Sequence, residues 1–127
     1  MIYSWGRNEE GELAQRQNSQ NSSVPFPPRG MKGICKQIVS ARSHTALLNT
    51  EGQIYVCGSL LFGRLGIPTK SAKVNNYREF KLLSDKNLNS QKIIKLACGD
   101  FHTLALSENG LIFSWGGTLW DKTGHKN

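Results

Sequence analysis

The stretch that decides the fold runs from Ile94 to Gly116 and has the sequence IKLACGDFHTLALSENGLIFSWG. Three apolar runs of strand length, Ile94–Ala97, His102–Leu106 and Leu111–Trp115, are separated by turn residues. The second turn contains Asn109-Gly110, a strong hairpin signal because both residue types tolerate the positive φ angles of tight hairpin turns. The stretch therefore predicts three short strands that pair in an antiparallel meander.

The same pattern occurs about 58 residues earlier, and its last strand occurs a third time as Ile2–Gly6. The later and earlier copies match at His102-Thr103 with His44-Thr45, Gly110 with Gly52, and Trp115-Gly116 with Cys57-Gly58. Two departures stand out in the earlier copy. The turn Ala41-Arg42-Ser43 is one residue shorter and lacks the turn glycine that the later copy has at Gly99. Because Arg42 can adopt a positive φ only at a cost, a different turn is expected there. Because the later copy also keeps Trp115, it is expected to be the better-formed one.

The repeats predict a single domain whose parts alternate with two spacers. The first spacer is rich in Asn, Ser and Pro, and its prolines permit at best an edge strand or a connector. The second spacer is basic and carries one plausible strand, Arg78–Leu83. The predicted parts are the tail of a first repeat (1–14), a polar Pro-rich loop (15–33), a second repeat (34–68), the basic spacer (69–91) and a third repeat (92–127).

The joint pattern of an apolar run, Gly-x-x-His-Thr, a turn glycine, an aromatic strand, Trp-Gly and Gly-x-Leu-Gly resembles the regulator of chromosome condensation repeat family. The resemblance covers nearly the whole chain, with copies at Ile94–Gly124 and Ile38–Pro68 and a tail at Ile2–Leu13. It implies a β-propeller of about seven four-stranded blades. The expected fold is all-β, an incomplete propeller of short four-stranded antiparallel blades, with about two blades plus partial ends.

The side chains that could act in catalysis recur with the repeat, which favours a structural role for them. His44 and His102 stand at equivalent positions beside threonine, where an imidazole can bridge backbone groups of neighbouring strands or blades. A hydrolytic triad and a phosphate-binding glycine loop are not indicated. The residues expected to have repeat-structural roles are His44, Gly52, Gly58, Gly99, His102, Gly110, Trp115 and Gly116.

Three cysteines, Cys35, Cys57 and Cys98, could suggest a metal site with His102. Their spacing favours Cys57 and Cys98 as reduced, apolar fillers of strand positions, because a zinc site needs four ligands at defined spacings. No cofactor and no metal are therefore expected. No apolar run is long enough to span a bilayer, and a secretory leader is not apparent, so a cytoplasmic or nuclear location is expected.

The net charge of +7 is concentrated in the segment from Lys70 to Lys95. Such a segment is most simply a solvated linker, although it could bind an acidic protein surface, phosphate or anionic lipid. A nucleic-acid binder acting through this segment is a distant alternative. The residues singled out for partner contact are Lys70, Lys73, Arg78, Lys81 and Trp120.

The sequence favours a non-catalytic protein-interaction module whose protein partner it does not name. The resemblance implies an alternative, part of a guanine nucleotide exchange factor for a small GTPase or of a chromatin-binding regulator whose other blades are missing. About two repeats cannot close a ring, so the chain is expected to be a fragment. Expressed alone, it is expected to aggregate or to fold incompletely, because open blade edges expose unpaired polar groups.

Overall fold

The computed structural model describes residues 2–15, 20–60, 64–66, 76–83, 88 and 90–116. Within these ranges the chain forms three antiparallel sheets. The first sheet pairs β1 (Ser4–Gly6) with β2 (Ser22–Phe26). In the described residues no helix is both long and apolar enough to cross a membrane.

The second sheet is a complete four-stranded meander in chain order. It comprises β3 (Cys35–Ser40), β4 (His44–Asn49), β5 (Ile54–Ser59) and β6 (Asn76–Leu82). The third sheet repeats the first three strands as β7 (Ile93–Gly99), β8 (His102–Ser107) and β9 (Ile112–Gly116). The three sheets confirm an all-β partial propeller of short antiparallel blades, and β6 contains most of the strand predicted at Arg78–Leu83.

The Pro-rich spacer at residues 15–33 is not loop throughout. Ser22–Phe26 form β2, which pairs with β1 across a register irregularity between Ser4 and Gly6. Within the described residues β2 has one strand neighbour, so the missing N–H of Pro25 does not interrupt a two-sided ladder. The edge-strand alternative left open by the sequence is thus the one that the structure adopts at these residues.

The turn before His44 was expected to lack a residue, and this prediction was wrong. Ser40 pairs with Thr45 in the second sheet, and Cys98 pairs with Thr103 in the third. Both hairpins therefore enclose four residues between equivalent pairs. The apparent gap came from aligning Ala41 with Ala97, whereas strand register places Ala41 where the third sheet has Gly99.

The two central strands of the second sheet are buried because this sheet lies between the other two. Every residue of β4 and β5 is buried. Since side chains alternate along a strand, each strand contributes to both faces. On the face toward the first sheet, Leu47, Tyr55, Cys57 and Phe80 pack with Ala14. On the face toward the third sheet, Ala46, Leu48, Ile54 and Val56 pack with Leu96 and Ala105 of that sheet.

Candidate interaction surface and the contacts between sheets

A buried hydrogen-bond chain joins the second sheet to the third. The Thr103 hydroxyl donates to the carbonyl oxygen of Arg64 at 2.8 Å. Its single proton is thereby used, so the oxygen accepts a hydrogen bond from Nε2–H of His44, 3.1 Å away. His44 and Thr103 are both fully buried. His44 therefore lies between two blades, where it meets a side-chain hydroxyl rather than the backbone groups that the sequence predicted.

The first and second sheets are joined by an equivalent bond. The Thr45 hydroxyl donates to the carbonyl oxygen of Glu12 at 2.8 Å. Glu12 and Arg64 occupy the same place in the repeat, between glycine and leucine of a Gly-x-Leu tail. The threonine after each repeat histidine thus satisfies a backbone carbonyl of the preceding repeat. Sequence reasoning noticed the recurring threonines but did not assign them this bond.

The environment of His44 keeps its imidazole neutral. Burial, assisted by the nearby charges of Arg64 and His102, lowers the pKa of His44 from 6.5 to about 4, against an opposing effect of Asp100. A neutral imidazole has one N–H, and here that proton is on Nε2. This arrangement suits a structural donor. It does not suit a general base that must cycle its proton near neutral pH.

The glycines that end the third strands pack directly against backbone. Gly58 and Gly116 have φ angles of +108° and +101°, and a Cβ at either would overlap the carbonyl oxygen of Ser43 or Phe101. The turn glycines Gly52 and Gly110 also lie in the left-handed region, at +83° and +84°. These geometries fit the repeat-structural roles proposed for them.

Gly99 provides space for a side chain and does not adopt the positive φ that was expected of it. Its φ lies outside the left-handed region. A Cβ at Gly99 would instead overlap Cε1 of the His102 imidazole. The glycine therefore makes room for a ring, and Ala41 can replace it in the second sheet because His44 turns into the inter-sheet contact.

Trp115 and Cys57 occupy equivalent positions but face different partners. A Cβ on Gly66 would lie 2.8 Å from Nε1 of Trp115, so the indole covers that glycine. The equivalent of Gly66 in the first repeat is Ala14, which has a φ of +55° and packs in the same cluster as Cys57. Because Cys57 is smaller than tryptophan, it leaves room for the methyl group of Ala14 in the tail of the first repeat.

The cationic residues predicted to contact a partner are only partly described. Arg78 donates to the carbonyl oxygens of Asn8 and Glu9 at 3.0 and 2.8 Å, so its guanidinium caps the tail of the first repeat. Lys81 pairs with Glu79 at 3.0 Å and lies over the Tyr77 ring. Lys70, Lys73 and Trp120 lie outside the described residues.

A charged surface, which the sequence did not single out, lies where the first two strands of the second and third sheets turn. Arg7 donates to the Arg42 carbonyl at 2.9 Å and pairs with Glu9 at the same distance. Arg64 donates to the carbonyl of Asp100 at 3.1 Å. The β3–β4 and β7–β8 turns are equivalent, so they project from the same end of adjacent sheets. We call this end the turn-end surface; its exposed charged residues are Arg7, Glu9, Arg42 and Asp100.

The cysteines are free, and burial raises the pKa of each thiol. Cys57 is fully buried and points its sulfur toward the carbonyl of Glu12 at 3.5 Å. Among the described residues, no three His, Cys, Asp or Glu side chains are grouped so that they could hold a metal ion. The thiols lie in strands β3, β5 and β7, as expected of strand fillers.

Two models of the regulator of chromosome condensation (RCC1) repeat match the chain, one at residues 1–48 and the other at residues 93–117. Together they cover more than half of its 127 residues. The chain belongs to the regulator of chromosome condensation repeat family. The matched residues include all of the first and third sheets and, in the second sheet, strand β3 and all but the last residue of β4.

Relatives share the repeat in proteins with different names. A Mus musculus protein named probable E3 ubiquitin-protein ligase HERC4 is 31% identical over 127 residues, which is 99% of this chain and 11% of that protein. The Saccharomyces cerevisiae guanine nucleotide exchange factor SRM1 is 25% identical over 91% of this chain and 26% of that protein. The chain therefore spans a small part of these relatives.

The fold itself is shared with a solved RCC1-repeat structure. Prp20p from Saccharomyces cerevisiae, described with its binding properties to Gsp1p and histones, superposes with a TM-score of 0.77 at 23% identity. The superposition covers 90% of this chain and 28% of that one. At this identity the likeness establishes the RCC1-propeller architecture of the described sheets.

Proposed function

We propose that this chain is a non-catalytic protein-interaction module built from RCC1 repeats. The observation that carries the proposal is the structural role of its recurring polar side chains. His44, Thr45 and Thr103 are buried and bonded between sheets, where they hold blades together. Propellers commonly offer their turns to partners while the blades form a rigid support.

The turn-end surface is the partner-binding region that the geometry favours. The backbone of its two turns is held in place, because Arg7 and Arg64 donate hydrogen bonds to carbonyl oxygens of these turns. The side chain of Arg42 is exposed at the tip of one turn. Fixed turns reduce the ordering entropy lost on binding, and exposed charges steer a complementary partner. No cofactor is required by this arrangement.

Affinity capture with matched variants tests this surface. We expect Arg42→Glu to lose a protein that wild-type chain retains, because the substitution reverses charge on the turn-end surface. Lys36→Glu is the control, since Lys36 is an exposed lysine within strand β3. Quantitative mass spectrometry of the captured proteins compares the three baits. A partner set that is identical for all three would contradict the proposed surface.

A second candidate is nucleotide exchange on a small GTPase, favoured by the match to SRM1. Exchange requires a surface that binds the nucleotide-free GTPase better than the loaded form. Release of a fluorescent GDP analogue from a small GTPase, with chelation of magnesium as a positive control, measures it. We expect no acceleration by this chain. Acceleration at substoichiometric amounts would replace the non-catalytic proposal with the exchange alternative.

Chromatin binding completes this second candidate, because the name given to the Prp20p structure includes histones. Titration with core histones and with duplex DNA across a salt series separates the two kinds of partner. DNA binding through cations would weaken steeply as salt rises. We expect no DNA binding near physiological salt.

The free cysteines fit a reducing compartment, so a cytoplasmic or nuclear location is part of the proposal.

A further inference from the structure

The outer edge of β6 is covered by backbone from another part of the chain. Within the described residues β6 pairs with β5 alone, so its other edge has no strand neighbour. Just after β6, the N–H of Leu83 donates to the carbonyl oxygen of Ile54, on the side of β5. N–H groups alternate in direction along a strand, so the N–H of Phe80 points away from β5. It donates to the carbonyl oxygen of Arg29 at 2.8 Å.

The covering residues are Arg29 and Gly30, which lie between β2 and β3. The N–H of Arg29 donates to the carbonyl oxygen of Ala14 at 2.9 Å, so Arg29 links the tail of the first repeat to β6. Gly30 has a φ of +100°, and a Cβ placed on it would overlap the carbonyl oxygen of Phe80. Because that oxygen belongs to a paired strand and cannot easily move, this close approach requires glycine. We call Arg29-Gly30 the edge cover.

The sequence of β6 suits pairing with a second copy of the same strand. Asn76–Leu82 reads NYREFKL. In an antiparallel pair centred on Phe80, Glu79 of each copy would stand opposite Lys81 of the other. Opposite charges directly across a strand pair are favourable. The contact would use the same residues on both copies, so it would close as a symmetric dimer.

We propose that the edge cover prevents β6 from pairing with β6 of a second copy, and that opening the cover exposes a strand-docking edge. An uncovered edge offers unpaired N–H and C=O groups to another chain, and a covering loop removes this risk. Arg29 and Gly30 are exposed and contact β6 through backbone. Such a segment can open locally while the buried strands β4 and β5 stay paired. The cover therefore controls self-association at a place separate from the turn-end surface.

Amide hydrogen exchange of the whole chain tests the cover. We expect Gly30→Ala to speed exchange of the Phe80 amide by about tenfold or more, because the methyl group displaces Arg29 from β6. The Leu83 amide, which is bonded to β5, should keep its rate and so report an intact sheet. Gly33→Ala is the matched control, because Gly33 has a φ of +85° but its Cβ would contact the side chain of Asn49. An unprotected Phe80 amide in the wild-type chain, or equal Phe80 rates in the two variants, would overturn the proposal.

Sedimentation velocity across a concentration series tests the second copy. We expect Gly30→Ala to associate at lower concentration than Gly33→Ala or the wild-type chain. Adding Lys81→Glu to Gly30→Ala should weaken this association, because Glu79 would then face a like charge. Adding Glu79→Lys as well should restore it, since the opposite charges are again paired across the strands. Association of Gly30→Ala that exceeds neither comparison chain, or that does not respond to Lys81→Glu, would contradict pairing through β6.

Discussion

His44 Nε2 lies 3.1 Å from the hydroxyl oxygen of Thr103, across the boundary between the second and third sheets. The same hydroxyl donates to the carbonyl of Arg64, so one threonine satisfies a side chain and a backbone group in the preceding repeat. Buried polar groups are costly unless paired, which makes this contact specific for one arrangement of neighbouring sheets. The contact joins the histidine of one repeat to the threonine of the next.

Replacing Thr103 should cost more than replacing the equivalent Thr45. Thr103→Val keeps the shape but leaves both the His44 N–H and the Arg64 carbonyl unpaired, with an expected loss of about 2–4 kcal/mol. Thr45→Val leaves only the Glu12 carbonyl without its bond, with an expected loss of about 1–2 kcal/mol. Urea unfolding measures both. Equal losses would show that the His44 contact contributes nothing.

The stability of the fold should fall as the pH falls from about 6.5 to about 4. Burial lowers the pKa of His44 to about 4, whereas in the unfolded chain it has its ordinary value of 6.5. The unfolded state therefore takes up the proton first, and the stabilisation present above pH 6.5 is lost by up to about 3 kcal/mol. Denaturant unfolding at several pH values, for wild type and His44→Gln, isolates this effect. Parallel pH profiles for the two proteins would contradict the assignment.

Substitutions at Gly66 and Ala14 should have unequal effects. Gly66→Ala places a methyl group in a left-handed conformation and 2.8 Å from the Trp115 indole nitrogen, so we expect a loss of about 2–4 kcal/mol. Ala14→Gly relieves a left-handed alanine but removes a buried methyl group, so we expect a net change within about 1 kcal/mol. Thermal unfolding compares them. Similar losses would mean that Trp115 does not rest on Gly66.

Alanine substitutions at Gly58 and Gly110, which both have a positive φ, should also destabilise the fold to different extents. A methyl group on Gly58 would overlap the Ser43 carbonyl, which cannot move without breaking the sheet, so Gly58→Ala should cost more than about 3 kcal/mol. Gly110 has open space around it, and Gly110→Ala should cost only the left-handed conformation, about 1–2 kcal/mol. The fraction of folded chain by circular dichroism checks the order. The reverse order would refute the close backbone contact.

The strands and their pairing could be predicted from local pattern because each depends on residues close in sequence. Alternating apolar side chains and an Asn-Gly turn specify a hairpin wherever it lies. The turn before His44 was misjudged, because glycine was taken as a marker of backbone conformation when Gly99 serves to make room for an imidazole. The division of the chain into repeats and spacers remains a prediction.

Which of the two better copies is packed more completely depends on the position of its sheet relative to the other sheets. The third copy was expected to be better formed because it keeps Trp115 and Gly99. In the structure the second sheet is the enclosed one, with four strands and two fully buried central strands. Burial of a strand is set by what packs on its two faces, and no local pattern records that.

The sequence by itself determined the repeat, the strands, the hairpin turns and the family, since all of these follow from short-range pattern. Only the tertiary structure decided which partner each repeated residue meets. It placed Thr103 between His44 and Arg64, Trp115 over Gly66, and Gly6 beside empty space. The physical reason is that contacts between sheets join residues far apart in the chain, so the same residue type can be bonded, covered or left open according to its neighbour.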